Sequence, residues 1–93
     1  MNSAKEPDTE SPFQFPCSFP IKVMGRHEED FQALVVAMIS GHFGEIPAEN
    51  VRSRESSNGR YLSVTVTVTA ESREQLDDVY RTLTASEQVL FVL

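Results

Sequence analysis

The run Tyr61-Leu62-Ser63-Val64-Thr65-Val66-Thr67-Val68-Thr69-Ala70 alternates apolar and polar residues with a period of two. Seven of its ten residues are β-branched or aromatic. The segment is therefore predicted to be a strand with one apolar face, Leu62, Val64, Val66 and Val68, and one hydroxyl-bearing face, Ser63, Thr65, Thr67 and Thr69. A second strand is expected over Phe19-Pro20-Ile21-Lys22-Val23-Met24-Gly25. There Phe19, Ile21 and Val23 share one face, and Pro20, Lys22 and Met24 share the other. Pro20 weakens its end of the ladder because it has no N–H to donate.

The period then changes. Phe31, Leu34, Val35, Met38 and Ile39 recur at helical spacing, which predicts an amphipathic helix over about residues 28–42. Glu28, Glu29 and Asp30 are placed in its first turn, where the helix dipole favours negative charge. Val51-Arg52-Ser53-Arg54-Glu55 reads as a polar edge strand, and Ser56-Ser57-Asn58-Gly59 as a hairpin turn requiring positive φ. Ser72 followed by Gln75 makes a capping-box pattern. It opens a second helix carrying the stripe Leu76, Val79, Tyr80 and Leu83. Gln88 to Leu93 forms a last strand, with Val89 and Phe91 assigned inward and Leu90 and Val92 outward.

The element order is β-α-β-β-α-β. Split βαβ units with right-handed crossovers give an α+β, ferredoxin-like sandwich: a four-stranded antiparallel sheet with both helices on one face. Residues 15–93 are expected to form this single domain, with residues 1–14 as a loosely ordered tail. The predicted core is Phe19, Ile21, Val23, Phe31, Leu34, Val35, Met38, Leu62, Val64, Val66, Val68, Leu76, Val79, Leu83, Val89 and Phe91.

Composition narrows the chemistry. Fourteen acidic against eight basic residues give a net charge of −6, a poor match to phosphate backbones or anionic lipid. No apolar run is long enough to span a bilayer, and the acidic N-terminus has no signal-peptide core. A soluble cytoplasmic protein with no nucleic-acid or membrane partner is expected. Cys17 is the sole cysteine, so no intramolecular disulfide is available. His27 and His42 sit at opposite ends of one helix, about 22 Å apart at ~1.5 Å per residue, and cannot share a metal ion within one chain. No cofactor or metal is expected.

The motifs Phe19-Pro20-x-Lys22-Val23-Met24-Gly25, Ser56-Ser57-x-Gly59-x-Tyr61, Leu76-x-x-x-Tyr80-x-x-Leu83 and Val89-x-x-Val92-Leu93, in this order, resemble the YbeD-like family of small bacterial proteins. The resemblance runs from about Phe15 to Leu93. It implies a ferredoxin-like fold similar to ACT-type regulatory domains, with no established activity. It also implies a suggested link to the regulation of lipoate metabolism, through genes encoded nearby. Asn58 and Arg60 stand where many relatives prefer lysine, and Leu90 where a basic residue can occur. Asn58 and Leu90 thereby reduce positive charge near the sheet.

Two candidate sites follow. The loop Gly25-Arg26-His27 matches the place where ACT-like domains often bind small molecules; Arg26 would hold a carboxylate. The plainer reading is a solvated loop, since the acidic residues beside it repel anions. The second site is the sheet face bearing Lys22, Met24, Ser63, Thr65, Thr67, Leu90 and Val92, a surface for a protein partner or a second copy of the chain. Arg52, Arg54 and Arg60 flank the hairpin and read as a solvated edge or a docking patch for an acidic partner. An RNA-recognition role would place aromatics where strand three has Ser63, Thr65 and Thr67. An acylphosphatase-like hydrolase would need an arginine-lined cradle and a positioned amide, and Arg26 alone makes neither. The expected function is a non-catalytic regulatory or interaction module, with a small-molecule sensor at the Gly25–His27 loop as the alternative.

Overall fold

The computed structural model describes residues 14–28 and 30–93. The tail expected over residues 1–14 therefore lies outside the described residues, Gln14 apart, as does Glu29. Strand β1 spans Cys17–Arg26, helix α1 Phe31–Phe43, β2 Val51–Glu55, β3 Tyr61–Ala70, α2 Arg73–Thr84 and β4 Val89–Val92; a 3-10 turn, Ala48–Asn50, precedes β2. The strands form one antiparallel sheet in the order β2-β3-β1-β4. Its spine is the β1–β3 pair, in register from Cys17–Ala70 to Arg26–Tyr61.

Alternation along these two strands sends Ile21, Val23, Leu62, Val64, Val66 and Val68 to one side. There they meet Phe31, Val35 and Ile39 of α1 and Val79 and Leu83 of α2 in a single core cluster. Both helices thus cover the same face, and the α+β, ferredoxin-like sandwich is the fold. Phe19 and Met38 pack against this cluster without being fully buried, whereas Ile39 and Ala70 are fully buried.

Helix α1 begins later than its periodicity predicts. The ladder with β3 runs one residue past β1, His27 N–H donating to the Arg60 carbonyl at 2.8 Å, so the chain is still extended at His27. Glu28 and Asp30 precede the helix, and its first turn carries no acid. Helix α2 begins where expected. Ser72 Oγ accepts from Gln75 N–H at 3.1 Å, satisfying one of the unpaired donors of the helix start. The return bond differs from the reciprocal capping box: Gln75 Oε1 accepts from Glu71 N–H at 2.8 Å, while its Nε2 donates to the His42 carbonyl at 3.0 Å. His42 also binds Thr82. The Thr82 hydroxyl gives its hydrogen to the Asp78 carbonyl at 3.2 Å, so His42 Nε2–H donates to it at 2.8 Å. The end of α1 is thereby tied to α2 at two points, a structural use for this histidine.

At the hairpin, Gly59 has φ +75°, a conformation open to glycine and strained for a β-branched residue. Asn58 Oδ1 accepts from Arg60 N–H at 3.0 Å and Gly59 N–H donates to the Ser56 carbonyl at 2.9 Å.

Strand β4 departs from the simple alternation. Val92 pairs with Val23 and Phe91 with Met24, but Gly25 pairs with Val89, so Leu90 is an extra residue in a bulge. The bulge reverses the parity of everything after it. Val89 and Val92 both pack against the core, while Phe91 lies on the outer face beside Met24 and is 46% exposed. The expected outward Val92 and buried Phe91 are therefore exchanged; Leu90 is exposed, as expected.

Two outcomes test this packing. Val66 is fully buried and Thr67 is on the opposite face. Val66→Ala should cost about 1–3 kcal/mol in urea melts and Thr67→Ala much less; equal losses would place the faces wrongly. Tyr80 Oη donates to the Leu93 carbonyl at 3.0 Å, and burial raises the phenol above its ordinary range. A raised acid pKa means the fold holds the proton more tightly than the unfolded chain. The associated stability is complete below about pH 10 and is lost as pH climbs toward the folded-state value. Wild type should therefore lose more stability than Tyr80→Phe across that alkaline window, measured by urea melts at stepped pH.

Candidate functional site

The face of the sheet away from the helices is built from the even-numbered residues of β1 and the odd-numbered residues of β3. Directly opposed residues of antiparallel strands point to the same side, so the register assembles rows. One row reads Arg52–Thr65–Lys22, and the next Arg54–Ser63–Met24–Phe91; Thr67 is opposite Pro20 and Tyr61 opposite Arg26. Leu93 extends the first row, its N–H donating to the Lys22 carbonyl at 2.8 Å. Ser53, between the arginines of β2, and Glu55, after them, belong to the helix side, where Ser53 donates to Gln32 Oε1.

Four of the chain's eight basic residues, Lys22, Arg26, Arg52 and Arg54, occupy this one face. None of these rows contains a carboxylate. Among the described residues the ion pair lies elsewhere, Arg81–Asp78 at 3.4 Å, and the other basic–acidic contact is His27–Glu55 at 3.9 Å. Lys22, Arg52 and Arg54 line a shallow trough floored by Ser63 and Thr65. Beside it lies an apolar patch: Phe91, Leu93 at 63% exposure and half-buried Met24. Carboxylates stand at the corners, Glu49 near Arg52 and Thr67, and Glu28 and Glu87 near Arg26 and Leu90.

The residues expected to form an interaction face are thus brought together, Val92 excepted. Lys22, Met24, Ser63, Thr65 and Thr67 share the open surface, and Leu90 sits at its margin on the bulge. Phe91, Arg52 and Arg54 join them. The arginines were legible: once Val51 faces inward, the alternation of β2 turns both outward. Phe91 was hidden by the bulge.

The loop Gly25-Arg26-His27 does not converge on one point. Gly25 is buried, Arg26 lies on the open face, and His27 is turned to the hairpin. The Gly59 carbonyl can only accept, so His27 Nδ1–H donates to it, at 3.1 Å. The arrangement anchors the β1–α1 loop to the β2–β3 turn. Among the described residues no group of three His, Cys, Asp or Glu side chains is placed to hold a metal ion. No helix of the described residues is long and apolar enough to cross a membrane.

The profile of a family described as a protein of unknown function, DUF493, matches residues 10–93, and the chain belongs to that family. A UPF0250 protein of Paraburkholderia phymatum is 51% identical over 94% of this chain and 98% of its own length. A UPF0250 protein of Neisseria gonorrhoeae is 42% identical over 86% of this chain and 88% of that protein. Among solved structures, protein HP0495 from H. pylori superposes with a TM-score of 0.70 at 11% identity, over 99% of this chain and 98% of that one. The ACT domain from GTP pyrophosphokinase of Chlorobium tepidum gives 0.60 at 14% identity, over 82% of this chain and 94% of that domain. At these identities the structures share the fold.

Gly25 carries a direct test of how the loop is packed. A Cβ added there would run into the Phe31 ring and the Gln88 carbonyl oxygen. The carbonyl belongs to the backbone and cannot swing aside. Gly25→Ala should therefore destabilise by about 1–3 kcal/mol in urea melts. Amide shifts in nuclear magnetic resonance should concentrate around Phe31 and Gln88–Leu90; an unchanged melt would refute the close approach.

Proposed function

We propose that this chain is a non-catalytic interaction module that acts by docking a protein partner on the open face of its sheet. The observation that carries the reading is the face itself. Among the described residues, cations without an ion-pair partner, hydroxyls and exposed apolar side chains occupy one surface that no helix covers, whereas the opposite face is closed by α1 and α2. Exposed aromatic and aliphatic side chains grouped beside arginines are what buried interface centres are made of. The likeness in fold to an ACT domain supports a regulatory setting for such docking. The resemblance to the YbeD-like family directs the first search for the partner to proteins of lipoate metabolism.

The small-molecule reading at Gly25–His27 has less support, because the three residues face different ways and Glu28 and Glu87 stand beside Arg26. Catalysis would need a nucleophile and base held together; the described hydrogen bonds of His27 and His42 serve the hairpin and the helix pair.

Phe91→Glu tests the docking face, since it places a charge in the apolar patch at an exposed position and should leave the fold intact. Affinity capture from lysate of a bacterium encoding the chain should recover a partner with wild type and lose it with Phe91→Glu. Sedimentation across a concentration series identifies the case in which the partner is a second copy. A partner retained equally by Phe91→Glu, or none recovered with a monomer at all concentrations, would overturn the reading.

A further inference from the structure

Resting on that docking role, we infer that the occupant of the open face is an acidic polypeptide segment. Its carboxylates lie on Lys22, Arg52 and Arg54, and an apolar side chain lies against Met24, Phe91 and Leu93.

The inference stands on charge complementarity. The protein is acidic overall, yet its outward strand positions collect four cations and no acid. Arg52 and Arg54 project from the same side of β2, about 6.8 Å apart at ~3.4 Å per residue, with Lys22 across the trough. Each repels the others, and no described carboxylate makes an ion pair with any of them. Guanidinium forks bind carboxylates with two parallel hydrogen bonds, and the Ser63 and Thr65 hydroxyls between them supply further donors. The apolar patch lies across β1 from the trough, one or two strand spacings of ~4.8 Å away. One short segment therefore spans both.

The size and surroundings of the face favour a polypeptide over a nucleic acid. From the Thr67 row to the Tyr61 row is six residues of β3, about 20 Å, which fits roughly six extended residues. Carboxylates Glu49, Glu28 and Glu87 close its corners. A polyanion with a phosphate at every step would run past the cations onto these acids, whereas a peptide can place its charges only where cations wait. The centre of β3 carries Ser63 and Thr65 in place of rings on which bases stack. About 20 Å along the strands by four strand spacings of ~4.8 Å gives a face of roughly 400 Å², below the ~800 Å² per partner of a stable interface, so binding should be transient and salt-sensitive.

Three labelled probes decide it with the full chain: an eight-residue peptide alternating glutamate and leucine, the same peptide with glutamine for glutamate, and a twelve-nucleotide oligouridine. The glutamate peptide should bind and shift the amides of Lys22, Arg52, Arg54 and Thr65. It should weaken at least about tenfold between low and high salt, and again in Arg52→Glu/Arg54→Glu, while Arg52→Lys/Arg54→Lys retains most of the affinity. If the charge-reversed protein fails to fold, the salt response and the glutamine peptide decide alone. Equal binding of the glutamine peptide, oligouridine binding in place of the peptide, or no probe touching the open face each overturns the inference. A captured partner lost by Phe91→Glu yet indifferent to salt and to Arg52→Glu/Arg54→Glu would overturn the acidic occupant and leave the docking role standing. A partner retained by Phe91→Glu removes the docking role itself.

Discussion

The pairing of β1 with β3 over their full lengths is the constraint on which the rest depends. Side chains alternate along both strands, so this one register decides which residues are dry and which are wet. Ile21, Val23, Val64 and Val66 are wholly buried by it, each worth roughly 1.5–3 kcal/mol. The cross-strand pairs that Ser63, Thr65 and Thr67 make with Met24, Lys22, Pro20 and the arginines on the other side contribute at most about 1 kcal/mol each. A slip of one residue would put Lys22 and the Thr ladder under the helices and expose the valines. The apolar face therefore determines the register, and the polar face inherits its geometry. Arg52 and Arg54 meet Lys22 only because β2 takes its alignment from half-buried Val51, which packs against the core opposite Val66.

That inheritance explains how an acidic chain comes to own a cationic surface. A net charge of −6 describes the molecule only at distances beyond the ~8 Å over which salt screens a charge. Closer in, a ligand on the open face meets the local rows. The carboxylates of α2, Glu74, Asp77 and Asp78, are on the far side of the sandwich, with the sheet and the core between. Sequence-wide charge thus argues about solubility and steering. Recognition is argued from the rows.

Much of this was legible from residues alone. The Val/Thr alternation of β3, the stripes of α1 and α2, the Ser72–Gln75 cap and the positive φ of Gly59 are local signals that tertiary packing reinforced. The family resemblance was carried by motifs spread over those same elements, and the profile match agrees with it. What escaped was information that resides in pairing. The start of α1 moved because the β1–β3 ladder reached His27, a bond between distant segments. The outward face of β4 was misassigned because a strand's own alternation says nothing about an extra residue opposite Gly25. The convergence of cations was missed because Lys22 and Arg54 are remote in sequence and became neighbours only through β3.

The bulge in β4 and the missing side chain at Gly25 belong to one packing solution. Phe31, the first residue of α1, has to be buried where the chain leaves β1, and its ring takes the space a Cβ would fill. The Gln88 carbonyl closes on the same spot, so β4 meets β1 at its most crowded point. An irregular strand accommodates this: Leu90 is set out of the ladder and Val89 keeps its place against the core. Parity then reverses, Val92 turns inward against Val23, and Phe91 is carried out beside Met24. The apolar anchor of the open face is thus a consequence of how the first helix is seated. A glycine without a side chain and a valine ladder with a strict period together bring an aromatic ring onto the face that carries Lys22, Arg52 and Arg54.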